Sequence, residues 1–149
     1  MTTTYIDGID TSLLVVSLGV GGPPPTSYTP IVTVNANRSL SNKANSTAAV
    51  LVRTDDPTQP GETIRTATSK DSDISGDGTC SRSNALSLVA AVGTIQALQV
   101  NVGSLTGDLQ AVGNYLLEEA TITGQKLGDL VTIQLKWSQA SAPTFSAHT

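Results

Sequence analysis

Nucleophilic catalysis needs a nucleophile, a base and a group that orients the base, all within hydrogen-bond reach of one another. This sequence supplies one cysteine, Cys80, and one histidine, His148, which sits in the small-residue tail 138–149. Neither Ser/His/Asp nor Cys/His chemistry can be assembled from so little, and a histidine in such a tail reads as solvated. A single cysteine also excludes an internal disulfide and, with no second cysteine near it, the paired-cysteine metal and redox motifs. The adjacent acids Asp55-Asp56 and Glu118-Glu119 are the remaining candidates for acid–base work. Neighbouring acids point in different directions, and the first pair opens the turn-forming run Asp55-Asp56-Pro57-Thr58-Gln59-Pro60-Gly61, so both pairs read as solvated.

One stretch echoes a metal loop. Asp71, Asp73, Ser75, Asp77 and Thr79 fall on alternate positions with Gly76 at the sixth place, as in an EF-hand calcium loop. The echo fails at the twelfth place, where Arg82 stands instead of a bidentate Glu, and no helical pattern precedes Asp71. The run Gly19-Val20-Gly21-Gly22 lacks dinucleotide-loop spacing and leads into Pro23-Pro24-Pro25 instead of a helix, so it cradles no phosphate. The sequence therefore predicts no enzyme, no cofactor and no resident metal.

Composition narrows the classes further. The 149 residues are 38% hydrophobic, 13% charged and 3% aromatic. The first figure lies below the roughly 45–50% of globular domains, and the second is about half the usual share. A large aromatic core is excluded, and so is the high-charge composition of a disordered chain. A net charge of −4 and a pI near 4.6 give no pull toward nucleic acid, which needs clustered Lys and Arg. The apolar run from Leu13 to Val20 has no basic segment before it and is too short to span a bilayer, so neither a signal peptide nor a membrane partner is predicted.

The elements follow from patterning. Residues 1–25 read as an N-terminal arm and linker, or as a first strand, with Leu13, Leu14, Val16 and Leu18 as contact residues and Pro23-Pro24-Pro25 as a rigid extended segment. Residues 26–68 read as a small antiparallel β body with strands at Ile31-Val32-Thr33-Val34, Ala48-Ala49-Val50-Leu51-Val52 and 62–68. The Asn/Ser-rich run 35–45 between the first two reads as a hairpin or loop, with room for a short strand around Leu40. Residues 69–84 read as a polar loop, ending in Ser83 and Asn84 as candidate helix caps.

Residues 85–123 read as a helix. Ile95, Leu98, Val102, Leu105, Leu109, Val112 and Leu116 recur in steps of three and four, the signature of one apolar seam, and divide into two heptad columns. Gly103, Gly107 and Gly113 each cost such a helix up to about 1 kcal/mol relative to Ala. Its stability must then come from burying the seam against a sheet or against copies of itself. After a break, Val131, Ile133, Leu135 and Trp137 alternate on one face of a C-terminal strand within 124–149. The expected fold class is α+β: a small antiparallel β body with an extended N-terminal arm, one heptad-patterned helix that serves as the oligomer interface, and a C-terminal strand.

Low charge, few aromatics, abundant Thr, Ser, Asn and Gly, an arm, a small β body and a heptad helix together resemble the structural proteins of tailed-bacteriophage virions, of the capsid decoration (cement) or short fibre type. The resemblance is one of style across the whole chain and carries no site residues with it. It implies a homotrimer located in the virion, partnered by itself and by the major capsid protein or another virion protein. A tail- or fibre-associated binding module, using its Asn/Ser/Thr-rich loops on a cell-surface ligand, is the alternative. A monomeric α+β domain whose helix covers its own sheet is the third reading.

Overall fold

The computed structural model describes residues 8–9, 14–31, 34–80, 85–124, 126–128 and 130–149. Eight strands and one short helix follow in chain order: β1 (Leu14–Val20), β2 (Ser27–Pro30), β3 (Ala36–Leu51), β4 (Glu62–Thr79), α1 (Ala85–Ala90), β5 (Ile95–Val102), β6 (Leu109–Thr123), β7 (Thr132–Gln139) and β8 (Thr144–Ala147). They form one antiparallel sheet in the order β2-β1-β5-β6-β7-β4-β3, with β8 added beside β6. β6 is the hub. One edge pairs with β5 from Leu109 to Leu116, while the other pairs first with β8 and then, from Tyr115 onward, with β7.

One face of this sheet makes the interior. Leu98 and Val100 of β5, Ala111, Tyr115 and Leu117 of β6, Ile133, Leu135 and Trp137 of β7, and Ile74 of β4 are buried together with Val16 and Val34. Alternate side chains of a strand point to opposite faces, so each contributor supplies every second residue. Leu88 and Ala91, from α1 and the turn after it, pack against the margin of this cluster. The indole of Trp137 is fully buried and donates from Nε1 to Gln96 Oε1 at 2.9 Å. Ser72 and Tyr115 share a hydrogen bond of 3.1 Å, which pairs two buried hydroxyls on this face.

The fold is almost entirely antiparallel β, and the expected α+β class with a heptad helix is overturned. The only helix among the described residues is six residues long. The stretch 95–116 is a hairpin, in which Ile95 faces Leu116 and Val102 faces Leu109 across the strands. Residues 103–108, Gly-Ser-Leu-Thr-Gly-Asp, are its turn, with Gly103 and Gly107 at φ of +100° and +97°. Asp108 closes the turn, accepting from the Leu105 amide at 2.8 Å and donating its own amide to the Leu105 carbonyl at 3.1 Å. The two glycines that would burden a helix are the residues this turn requires, because only they take left-handed backbone without a Cβ penalty.

Three other expectations are corrected. Residues 35–45 are no loop, and neither are residues 69–79: the first lies largely in the 16-residue β3 and the second completes the 18-residue β4. Pro23-Pro24-Pro25 is no extended linker, because Gly19 pairs with Tyr28 and Val20 with Ser27, which makes the proline run the loop of a β1–β2 hairpin. Ser83 and Asn84, the candidate helix caps, lie outside the described residues.

Candidate assembly interface

The long β3–β4 pair extends beyond the sheet that carries it. β4 meets β7 only from Asp73 to Thr79, whereas its pairing with β3 continues out to Leu51 and Glu62. Residues 43–51 and 62–71 therefore form a two-stranded arm with no third strand beside it among the described residues. An isolated two-stranded ribbon is marginal in water, because neither face buries enough to offset the ordering of its backbone. Every residue of β4 from Glu62 through Asp71 is exposed. The tip is nevertheless apolar: Val50, Leu51, Val52 and Ile64 are between 43% and 69% exposed. Such a cluster on an otherwise polar ribbon marks a contact surface.

The arm's local chemistry holds its shape. At the tip Arg53 and Asp55 form an ion pair of 2.6 Å, and Asp56 accepts from both the amide and the hydroxyl of Thr58, closing the turn. The Arg53 guanidinium holds the Asp55 carboxyl below its ordinary range, and the Thr58 hydrogen bonds do the same for Asp56. At the root the register slips by one. Asn45 faces Ser69 and Ser46 faces Ala67, so Thr68 has no cross-strand partner. Its hydroxyl donates to the Asn45 carbonyl at 3.1 Å, while the Asn45 amide donates to Ser69 Oγ at 2.9 Å and Asp71 Oδ2 at 2.8 Å. An extra residue of this kind bends the strand and increases its local twist.

Beside the root lies a groove of about 840 Å³ between the arm and the segment leading into β8, with Ala44, Ala142, Pro143 and Phe145 among its walls and Lys43 and Lys70 at its rim. Pro143 can sit there because residue 113 is glycine. A Cβ at that position would lie 2.9 Å from the Pro143 Cβ and 3.0 Å from its Cα. The sheet also has open edges. β2 and β3 end the strand order; β2 is only four residues long and ends in proline, a guarded edge, while β3 presents a long one.

The residues expected to form an oligomer seam do not share one face. Leu98 is wholly buried in the chain's own interior, Val102, Val112 and Leu116 are half-buried, and Ile95, Leu105 and Leu109 are exposed. Of the expected arm contacts, Val16 is buried and Leu14 and Leu18 pack against the core from β1, while Leu13 lies outside the described residues. Asp73, Ser75 and Asp77 alternate with the buried Ser72, Ile74, Gly76 and Gly78, so the calcium-loop echo is the period of a strand. No group of three or more His, Cys, Asp or Glu side chains that could hold a metal occurs among the described residues. The arm itself was within reach of sequence reading, since its turn and both tip strands are marked. The misreading of 69–79 as loop hid its root.

No protein-family model matches this sequence, and neither does any curated protein. Solved structures do match the fold. The tail of an empty gene transfer agent particle, determined with helical refinement and C6 symmetry, has a chain that superposes with a TM-score of 0.72 at 15% identity, covering 94% of this chain and all of that one. A chain in the virion of a native gene transfer agent particle gives 0.69 at 14% identity with the same coverages. The SPP1 tail tube gives 0.56 at 9% identity, covering 95% of this chain and 80% of that one. At these identities the likeness is one of fold. Its neighbours are virion components, and two of the three are described as tails, whereas the sequence resemblance pointed first to capsid decoration.

Proposed function

We propose that this protein is a non-enzymatic structural subunit of a virion tail, a building block that associates with copies of itself into rings and stacks them into a tube. The observation that carries this reading is the projecting arm, a ribbon with an apolar tip that nothing among the described residues covers. The fold likeness to tail structures, one of them solved with helical C6 symmetry, supports it and favours a sixfold ring over the trimer implied by the sequence resemblance. Of the two functional settings read from the sequence, the tail-associated one fits better than capsid decoration. The long open edge of β3 offers unpaired backbone groups for lateral joining between copies. Ile95, Leu105 and Leu109, the exposed members of the expected seam, remain as further contact surface in such an assembly.

Negative-stain electron microscopy and sedimentation of the purified full-length chain test this reading. Rings or hollow rods with sixfold end views are expected. A chain that stays monomeric at every concentration up to the solubility limit would overturn it.

A further inference from the structure

The arm tip and the groove at the arm root are complementary surfaces on the same chain that cannot meet within one copy. Leu51 and Ala44 are seven residues apart on β3, roughly 24 Å at a strand's rise. A paired ribbon cannot fold back over that distance to reach its own base. Ala44, Ala142, Pro143 and Phe145 give the groove apolar lining, and its charged lining is Lys43 and Lys70 against the single acid Asp71, a net positive balance. Neither lysine has a carboxylate at ion-pair distance among the described residues. The tip presents the inverse: apolar Val50, Leu51, Val52 and Ile64 flanked by the acids Asp55, Asp56 and Glu62. Of those acids only Asp55 is engaged in an ion pair, with Arg53.

From this match of apolar area and charge we infer that the arm tip of one copy seats in the root groove of a second copy, with Asp56 and Glu62 facing the partner's lysines. Tip and groove are different patches, so the contact is heterologous: each copy gives a tip and receives one. Unless two copies exchange tips reciprocally, such a contact does not end at a dimer. It closes into a ring or runs on as a helical stack, according to the rotation between copies. The inference rests on the tube-forming reading and names the surface that its arm engages. Like charges set against each other at such a contact cost affinity and on-rate together, so the rim lysines act as a selector for the acidic tip.

The test uses full-length chain carrying Cys80→Ser with Leu51→Cys and Ala142→Cys, assembled and then oxidised. A ladder of covalent multimers on a denaturing gel is expected, absent from either single-cysteine control. Adding Lys43→Glu and Lys70→Glu should lower the multimer yield roughly tenfold or more. Adding Glu62→Lys to that variant should restore part of it, with Asp56 kept because its carboxylate closes the tip turn. Tubes visible by microscopy with no ladder above the controls would overturn the docking inference and leave the tube-forming reading intact. Failure of the unmodified chain to assemble would overturn both. A ladder indifferent to the charge reversals would overturn the assignment of the lysines as selectors.

Discussion

Tyr115 shows how much of this fold rests on single side chains. In a chain with one Trp, three Tyr and one Phe, its ring fills the middle of the sheet while its hydroxyl meets that of the buried Ser72. Burial pushes the hydroxyl above its ordinary range, the Ser72 hydrogen bond pulls it back, and the nearby Asp73 carboxylate raises it again. Because the folded-state value is raised, the stability carried by the neutral form is complete below the ordinary tyrosine value of about 10 and is lost as pH rises through the folded value. Urea denaturation at a series of alkaline pH values should show this loss in the parent chain and a weaker one in Tyr115→Phe. At neutral pH the same substitution strands the Ser72 hydroxyl, and a destabilisation of about 1–3 kcal/mol is expected. Trp137 was legible from the sequence as an anchor on an alternating strand, since Ile133, Leu135 and Trp137 keep a clean period of two. Tyr115 was not, because no large aliphatic residue sits two places before it.

At the scale of elements, the hairpin 95–116 explains why a heptad could be seen where none exists. Counting only large aliphatic residues selects Leu109, Val112 and Leu116 on β6, whereas the inward row is Ala111, Gly113, Tyr115 and Leu117. Small residues belong on that row because other chain segments approach closely there. Discarding them erased the period of two and left a spurious 3.5. The strand 69–79 was lost for a related reason, since serines, aspartates and glycines are poor strand formers by propensity and are held here by pairing with β3 and, from Asp73 onward, with β7 as well. Gly113→Ala provides the test of close approach. The new methyl group must displace Pro143, so β8 should loosen and the denaturation midpoint fall, at a cost of about 1–3 kcal/mol. Gly124→Ala, with nothing within 4 Å of the added Cβ, is the matched control and should be near neutral.

At the scale of the molecule, the body and the arm divide the work of folding and of contact. The buried residues lie in the body, apart from the arm, so the body is expected to fold whether or not the arm is covered. Hydrogen exchange distinguishes the two regions. In dispersed monomer the amides of 46–51 and 62–67 should exchange quickly while those of β5, β6 and β7 are protected. On assembly the arm amides should become slow, with little change in the body. Uniform protection of arm and body in the monomer would contradict the picture of a ribbon awaiting a partner. Thr68 adds a rule of parity to that ribbon. Directly opposed residues share a face, so the one-residue slip at Thr68 puts Ile64 with Ala49 and on the side of Leu51. Were Thr68 paired with Ser46 and the slip removed, Ile64 would stand opposite Val50 and turn to that side. What the arm offers a neighbour thus depends on whether the ladder skips a residue between root and tip, and a one-residue change of register that alters no side chain would present the other side.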